Sequence, residues 1–364
     1  MPDLMTTATP WPAVADEVPQ TMNAMVFREF GGPDVLHMET MPVPGVRADE
    51  ILVKVGAVSI GRLLDLVARS GKHPYASFTF PHILGGDHAG TVAAVGATVS
   101  GFQVGDHVAI FPLVVLGEDE YTRSGRSDLS PNVQIIGTHR PGAYAEYVSV
   151  PAVNASIVPA GVGPEQASAL ASVGAVATNQ FARVGGIGAG SRVVVQGASS
   201  ALGLTTALLA KHLGCEVVVS SRHESKRKTL RDLGFEHVFD AIDDDFSDRV
   251  RDAFGGGADL IVDNLGAPLV WEHGFDSLRP GGAMVSSGAF LGHTVPLNLQ
   301  KLYTTGIRVV GVRTGTPESV AELWTQVSHG FRTVVDRSFP LHDAPDAHRY
   351  VEHGDNVGKV VLIP

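Results

Sequence analysis

A turn of small residues bounded by glycines is the clearest chemical feature of this 364-residue sequence. It follows a short β-branched segment, residues 191–196, and precedes a segment with helical spacing; it reads Gly197-Ala198-Ser199-Ser200-Ala201-Leu202-Gly203. Small residues at a strand-to-helix turn let the backbone approach a pyrophosphate, and the helix N-terminus supplies N–H groups and a positive dipole. Ala198 and Ser200 stand where a G-x-G-x-x-G pattern has its first two glycines. The strand–turn–helix context predicts dinucleotide binding, against the alternative of a turn that only packs.

Hydroxyl and cationic side chains follow the next predicted strand, which ends at Ser221. The run is Ser220-Ser221-Arg222-His223-Glu224-Ser225-Lys226. A site for NAD usually has an acidic residue here, which holds the ribose 2′-hydroxyl and repels a 2′-phosphate. Hydroxyl, guanidinium and ammonium groups instead suit a phosphate, through charge-assisted hydrogen bonds. A solvated basic helix start is the alternative, but the missing acid favours NADPH as the cofactor.

Two further strands of this region end in polar or small residues. Asp263-Asn264 ends one of them, and Ser286-Ser287-Gly288 ends the other. Ligands of parallel α/β sheets collect at the carboxyl ends of the strands. We therefore expect Asn264, Ser287 and Gly288 to lie near the nicotinamide.

The elements that carry these residues differ between parts of the chain. Short β-like runs cut by glycine fill residues 22–151, which indicates a barrel-like β unit. Between residues 191 and 311, six predicted strands alternate with helices, which predicts a doubly wound parallel sheet of the α/β class. A helix at 318–327, a strand at 333–335, a helix at 344–351 and a strand at 360–363 are expected to return to the first unit. Residues 1–21 are expected to be a loose polar tail.

Composition excludes several classes of protein. Lys and Arg number 27 and Asp and Glu 38, a net charge of −11 that argues against nucleic acid or an anionic membrane as the main partner. The single cysteine, Cys215, excludes a disulfide framework. The sequence has neither a secretory signal nor an apolar run of the ~18 residues that span a bilayer. We expect a cytoplasmic protein that acts on a small molecule.

Five loose motifs in fixed order give the chain a family resemblance. They are Gly85-Gly-Asp-His-Ala-Gly90, Gly101-Phe-Gln-Val-Gly-Asp-His-Val108, Gly142-Ala-Tyr-Ala-Glu-Tyr-Val148, the turn 197–203, and Gly358-Lys-Val-Val-Leu-Ile-Pro364. Over residues 22–364 the chain resembles the medium-chain dehydrogenase/reductase superfamily. The resemblance implies a GroES-like, mainly β catalytic domain from residues 22–160 plus 312–364. A Rossmann domain of residues 161–311 is inserted into it.

The zinc ligands of that superfamily are absent from the matching positions. The catalytic-zinc positions carry Gly61, Gly86 and Val173, and the structural-zinc positions carry Leu116, Asp119, Thr122 and Ser130. The resemblance is therefore to the zinc-independent quinone oxidoreductase and enoyl reductase branch. An improvised metal site of His82, Asp87 and His88 is a minor alternative.

Candidate catalytic residues lie in one segment of the expected catalytic domain. His73 aligns where these reductases often have Tyr, so it is a candidate proton donor, with an ordinary loop histidine as the alternative. Asp65 matches a common family Asp that orients the loop. Arg62 could hold an acidic or phosphorylated substrate or be a plain surface charge.

These residues predict an oxidoreductase that moves hydride from NADPH to an activated C=C bond (an enone or enoyl thioester) or to a quinone. Zinc-independent alcohol dehydrogenation or ketone reduction is the first alternative. An NADPH-binding protein without significant turnover is the second. The family commonly pairs through the last Rossmann strand, here residues 308–311, which implies a homodimer.

Overall fold

The computed structural model describes residues 9–15, 17–74 and 78–364, and these form two compact units. The parallel-sheet unit is Val173–Val334. The β unit comprises the described residues up to Ser172 together with Val335–Pro364. These boundaries differ from the expected 160/161 and 311/312. Two helices, Pro164–Leu170 and Val173–Val184, follow one another here; the first belongs to the β unit and the second to the parallel-sheet unit.

Eighteen strands and ten helices are found in the described residues. The strands are β1 Thr21–Phe27, β2 His37–Pro42, β3 Glu50–Ser59, β4 His82–Ile83, β5 Asp87–Val95, β6 His107–Ile110, β7 Leu113–Val115, β8 Val133–Ile135, β9 Tyr147–Pro151, β10 Ala155–Ile157, β11 Arg192–Gln196, β12 Glu216–Ser220, β13 His237–Phe239, β14 Ala258–Asp263, β15 Leu278–Ser286, β16 Arg308–Gly311, β17 Val335–Pro340 and β18 Lys359–Ile363. The helices are α1 Glu120–Arg123, α2 Pro164–Leu170, α3 Val173–Val184, α4 Ala201–His212, α5 Glu224–Asp232, α6 Phe246–Phe254, α7 Pro268–Ser277, α8 Leu299–Thr305, α9 Pro317–Ser328 and α10 Ala344–His353. No helix in the described part of the chain is both long and apolar enough to cross a membrane.

The parallel-sheet unit is a six-stranded sheet in the order β13-β12-β11-β14-β15-β16, and every pairing is parallel. The central strands are β-branched and buried, as strands covered by helices on both faces must be. This order reverses direction between β11 and β14, which is where doubly wound folds bind dinucleotides. The predicted alternation of strands and helices is confirmed. The expectation that the helix at 318–327 returns to the β unit is wrong: it forms α9, which packs against α3 and belongs to the parallel-sheet unit.

The β unit is built on a seven-stranded sheet in the order β10-β6-β5-β3-β18-β17, with β9 also paired to β3. The C-terminal strand β18 pairs antiparallel with β3, so the end of the chain does return to the first unit. The preceding strand was predicted at 333–335 but runs over Val335–Pro340. Nearly all residues of β3 and β5 are buried, on both faces of the sheet, because α2 packs against these two strands.

The N-terminal segment is not the loose tail that its polar composition predicts. The Trp11 ring stacks on His107 with centroids 4.4 Å apart, and its Nε1 donates to the Val162 carbonyl at 3.2 Å. Lys54 Nζ donates to the Ala13 carbonyl at 2.7 Å. One large aromatic side chain thus holds residues 9–15 on the β unit. Residues 1–8 and 16 of the expected tail lie outside the described residues.

Candidate active site

The turn between β11 and α4 is held by close contacts and hydrogen bonds among its own residues. Gly197 has a φ of +65°, a conformation that L side chains rarely adopt. A Cβ on Gly203 would lie 2.5 Å from the Gly197 carbonyl oxygen, so only glycine fits there. Ser200 is the N-cap of α4: its Oγ accepts from Gly203 N at 3.1 Å and donates to the Gly197 carbonyl at 2.9 Å. Ser200, which stands where the G-x-G-x-x-G pattern has its second glycine, therefore caps the start of α4. The N–H groups in the first turn of a helix have no backbone acceptor within the helix, so a side-chain oxygen stabilises them.

The end of β12 lies directly beside this turn. Ala198 N donates to the Ser220 carbonyl at 2.9 Å, and the hydroxyl oxygens of Ser199 and Ser221 are 3.3 Å apart. Ser220 is fully buried, and its Oγ has no hydrogen-bond partner among the described residues. Hydroxyl groups from two adjacent strand ends thus meet at one point of the sheet edge.

The cations beyond β12 have different environments. Arg222 is exposed, and its Nε lies 3.1 Å from His223 Nε2. Lys226 is half-buried on α5. Arg227, which the sequence reasoning left out, pairs with Glu224 and Asp240 and donates to the Ser221 carbonyl at 2.8 Å. Arg227 is therefore part of the scaffold, and Arg222 is the exposed guanidinium at this end of the sheet.

Asn264 and Ser287 are brought together by a residue that the sequence reasoning missed. Gln180 of α3 donates from Nε2 to Asn264 Oδ1 at 2.9 Å and to Ser287 Oγ at 2.8 Å. A Cβ on Gly288 would lie 2.7 Å from the Asn264 carbonyl oxygen, so these two loops approach at backbone distance. The only sequence signal for Gln180 is a polar residue on the buried stripe of a helix.

Asp263 precedes Asn264 in the sequence, and its side chain stabilises the loop that follows it. Its carboxylate accepts from Leu265 N and Gly266 N, both at 3.1 Å. Burial raises the pKa of this carboxyl, while the two backbone N–H groups lower it. Its role is to shape the turn that carries Asn264.

These strand ends fit a dinucleotide. A buried orphan hydroxyl at Ser220, glycines whose places a Cβ would fill, and a helix N-terminus are the features that a pyrophosphate and two riboses require. The residues that would hold it are those of the turn 197–203, Ser220, Ser221, Arg222, Lys226, Asn264, Ser287 and Gly288.

In the β unit, Asp65 cross-links two glycines. It lies in a turn of π-helix, Arg62–Val67, and is 1% exposed. Its carboxylate accepts from Gly61 N at 2.6 Å and from Gly85 N at 3.0 Å. Burial raises the pKa of this carboxyl to about 7; Asp87 adds to the rise, and Lys359 and the two N–H groups oppose it. Asp65 thus holds together the backbone segments of Gly61 and Gly85.

The residues at the catalytic-zinc positions do not fit a metal. A Cβ on Gly86 would lie 2.9 Å from the Ile136 carbonyl oxygen and 3.3 Å from Leu64 Cδ1. A Cβ on Gly61 would meet Asp65 Oδ2 at 3.3 Å and Leu64 Cβ at 3.5 Å. A side chain at position 86 would therefore meet the Ile136 carbonyl oxygen and Leu64, and neither glycine offers a ligand atom to a metal.

The alternative site of His82, Asp87 and His88 does not form. Asp87 is paired with Lys359 at 2.9 Å, and both side chains are buried. His82 Nε2 donates to the Gly137 carbonyl and His88 Nδ1 to the Gly86 carbonyl. Burial lowers the pKa of His88 to about 4, which makes it a neutral core histidine. Across the described ranges, no three His, Cys, Asp or Glu side chains are grouped to hold a metal ion.

Hydrogen bonds stabilise the segment 116–132, which contains the positions matched to the structural-zinc ligands. The carboxylate of Asp119 accepts from Thr122 N at 2.9 Å and from Ser130 Oγ at 2.6 Å. Thr122 Oγ1 in turn accepts from Asp119 N at 2.8 Å. Leu116 N donates to the Asn132 carbonyl at 2.8 Å. Three of the four positions that bind zinc in relatives therefore bind one another.

His73 and Arg62 lie at different places in the β unit. His73 is buried, and both burial and the nearby His139 lower its pKa, so its imidazole is neutral near pH 7. Arg62 is exposed, and its Nη2 donates to the Val351 carbonyl in the last turn of α10 at 2.9 Å. Arg62 therefore caps a helix, a role that the sequence did not predict.

Comparison with known proteins shows which family this fold belongs to. The family described as "Alcohol dehydrogenase GroES-like domain" matches residues 47–160, and "Zinc-binding dehydrogenase" matches residues 201–329. Alcohol dehydrogenase 2 of Caenorhabditis elegans is 30% identical over 348 residues, 95% of this chain and 97% of its own.

Two solved structures have the same architecture. The crystal structure of AibC has a TM-score of 0.87 and 30% identity, and the match covers 95% of this chain and 96% of AibC. That of an NAD-dependent alcohol dehydrogenase has a TM-score of 0.85 and 31% identity, over 94% of this chain and 100% of its own.

The two sheets, the two family matches and the carboxyl edge of the parallel sheet, which fits a dinucleotide, define the class. It is an NAD(P)-dependent oxidoreductase with a GroES-like unit and a Rossmann unit. The chain belongs to the medium-chain dehydrogenase/reductase superfamily. The predicted fold class is confirmed. Relatives with named activities include alcohol, sorbitol and L-threonine 3-dehydrogenases, so the comparisons support the superfamily without assigning the chain to the quinone or enoyl reductase branch.

The raised pKa of Asp65 predicts a pH dependence of stability. Because the folded-state pKa of about 7 lies above the ordinary value, Asp65 contributes most to stability below about pH 4. That contribution is lost as the pH rises through 7. Asp65→Asn removes the titration, so the stability of the wild type relative to this variant should fall by up to about 4 kcal/mol between pH 4 and 7. Urea unfolding at several pH values measures the difference; Asp49→Asn, at an exposed position of the same unit, is the control. A difference that does not change with pH would show that Asp65 ionises normally.

Proposed function

We propose that this protein is a zinc-independent reductase that uses NADPH to reduce an activated C=C bond, in an enone or enoyl thioester, or a quinone. The observation that carries the proposal is that Gly61 and Gly86 have no side chain to bind zinc, and that a Cβ on Gly86 would lie 2.9 Å from the Ile136 carbonyl oxygen. The exposed Arg222 and the absence of an acid at the end of β12 support NADPH over NADH.

The proposed class of acceptor follows from the lack of a Lewis acid, because without one a developing negative charge must be stabilised in another way. Reduction of a simple ketone places full negative charge on an alkoxide oxygen, which zinc stabilises in metal-dependent relatives. In a conjugated acceptor the charge spreads onto an enolate or phenolate oxygen, which hydrogen bonds can stabilise. NADPH, when bound, supplies the hydride. The chain must then orient the acceptor, donate a hydrogen bond to the developing oxyanion and allow a proton to reach the product.

Three residues of the β unit have roles in this proposal. His73, which is neutral because its pKa is lowered, donates a hydrogen bond as an imidazole N–H and does not act as an imidazolium acid. Asp65 is a positioning residue that fixes the backbone of Gly61 and Gly85. Arg62 keeps N–H groups beyond its bond to Val351, and these suit an acidic group on the acceptor.

Two alternatives remain for the same fold. Zinc-independent alcohol dehydrogenation or ketone reduction is favoured by the names of the matched alcohol dehydrogenases. Binding of NADPH without significant turnover is favoured by the structural engagement of Arg62.

Initial rates on a panel of acceptors distinguish these functions. The purified protein is mixed with NADPH and with enones, enoyl thioesters, quinones and simple ketones, and loss of the reduced nicotinamide absorbance is followed. We expect turnover of the conjugated acceptors and little turnover of the ketones. His73→Phe should lower kcat by about 100-fold or more, and His73→Asn, which keeps an N–H donor, should retain more of it. Turnover of ketones alone would support the first alternative, and binding without turnover the second.

Cofactor preference should depend on Arg222. Arg222→Glu removes a guanidinium and adds a carboxylate, so it should raise the KM for NADPH by about 10- to 100-fold and lower that for NADH. Lys228→Glu makes the same change of charge at an exposed position of α5 and is the control. If the wild type prefers NADH, or if both variants behave alike, Arg222 does not read the 2′-phosphate.

We also propose that two copies pair through β16. This strand is the last of the sheet, its Val309 is 43% exposed, and the preceding α8 exposes Leu299 and Tyr303. An unpaired strand edge beside exposed apolar residues suits a second copy, which would continue the sheet across a twofold axis. Light scattering should give the mass of two chains, and Val309→Glu should shift it to one. A wild-type mass of one chain would overturn the proposal.

A further inference from the structure

A fully buried amide lies behind the carboxyl edge of the parallel sheet. Gln180 is 0% exposed on α3, and most of its neighbours on that helix are apolar. A buried amide lowers stability unless its donors and acceptor are all bonded. The partners of Gln180 therefore fix which way its amide points.

Each polar atom of the Gln180 amide has a partner. Nε2 donates its two hydrogens to Asn264 Oδ1, at 2.9 Å, and to Ser287 Oγ, at 2.8 Å. Oε1 lies 3.1 Å from the Thr206 hydroxyl, whose single hydrogen is shared between this oxygen and the Leu202 carbonyl oxygen at 2.9 Å. The amide NH2 group therefore faces two oxygens, and the amide carbonyl faces a hydroxyl.

This arrangement sets the polarity of the two residues beyond it. Because the Oδ1 atom of Asn264 accepts from Gln180, its Nδ2 group points away, and this group is buried with no hydrogen-bond partner among the described residues. Because Ser287 Oγ accepts from Gln180, its own hydrogen is directed elsewhere. The ends of β14 and β15 thus present N–H and O–H donors.

We infer that Gln180 is a positioning residue that turns Asn264 and Ser287 into a pair of hydrogen-bond donors for an acceptor oxygen on the nicotinamide nucleoside of the cofactor. In a doubly wound sheet, the two halves of a dinucleotide bind on the two halves of the sheet. The adenosine half belongs with β11 and β12, which leaves the nicotinamide half for β14 and β15. The inference rests on the proposed use of a nicotinamide cofactor and concerns residues that all lie in the parallel-sheet unit.

Reversing the polarity of residue 180 tests the inference. Gln180→Glu places two acceptor oxygens where the amide had donors, so Asn264 Nδ2 and the Ser287 hydroxyl should turn inward and be lost to the ligand. Gln180→Met keeps a side chain of similar shape with no strong polar group, and it serves if the buried carboxylate impairs folding. Gln300→Glu makes the first change at an exposed position of the same unit and is the control.

The readout is binding of two ligands by calorimetry, with thermal unfolding as a check on folding. NADPH carries both nucleosides, and adenosine 2′,5′-bisphosphate carries only the adenosine side. We expect both Gln180 variants to weaken NADPH by about tenfold or more, the usual consequence of losing a hydrogen bond to a buried group. Binding of adenosine 2′,5′-bisphosphate should change less than about twofold, which a general loss of folding cannot produce.

Each other outcome has a definite meaning. Equal weakening of both ligands would show that Gln180 only supports the fold, and unchanged NADPH binding would show that its polarity does not matter; either result overturns the inference and leaves cofactor binding intact. A wild-type protein that binds neither NADPH nor NADH would overturn the proposed function, and this inference with it.

Discussion

The candidate cofactor site depends on one constraint: the six parallel strands all end at the same edge of the sheet. The edge brings together the turn after β11, the hydroxyls after β12 and the amide after β14, although they are far apart in sequence. Parallel pairing is what aligns these ends, because every strand has the same direction and each return passes through a helix. At this edge, backbones approach closely enough to require glycine at Gly203, against Gly197, and at Gly288, against Asn264.

The β unit shows how a fold shared with metal-dependent dehydrogenases holds its shape by hydrogen bonds. Near the positions that match the catalytic-zinc ligands, one carboxylate joins Gly61 and Gly85, and Leu64 lies beside Gly61 and Gly86. In the segment 116–132, the carboxylate of Asp119 joins Thr122 and Ser130. In both places a carboxylate oxygen that accepts N–H or O–H groups replaces a cross-link made through a cation. A site of this kind can orient and hydrogen-bond a substrate, but it offers no positive charge to an alkoxide.

Local sequence patterns predicted much of this molecule and missed what depends on distant packing. Alternation of β-branched runs and helical spacing was enough for the six strands and for the turn at Gly197, since both signals are local. Gln180 was missed because helical periodicity gives its face but not its partners on β14 and β15. Trp11 was missed because its partners His107 and Val162 lie about 100 and 150 residues away. For Arg62 the sequence leaves open a substrate-binding charge or a plain surface charge, and its helix-capping role is missed because its partner Val351 is near the other end of the chain.

We propose that hydride transfer in this protein proceeds without a metal. The most direct measurement is the rate of NADPH-dependent reduction of a conjugated acceptor, before and after exhaustive dialysis against a chelator, with the metal content of each sample determined by elemental analysis. The account predicts substoichiometric zinc in both samples and an unchanged rate, which added zinc does not raise. Stoichiometric zinc whose removal abolishes the activity, and whose return restores it, would contradict the account.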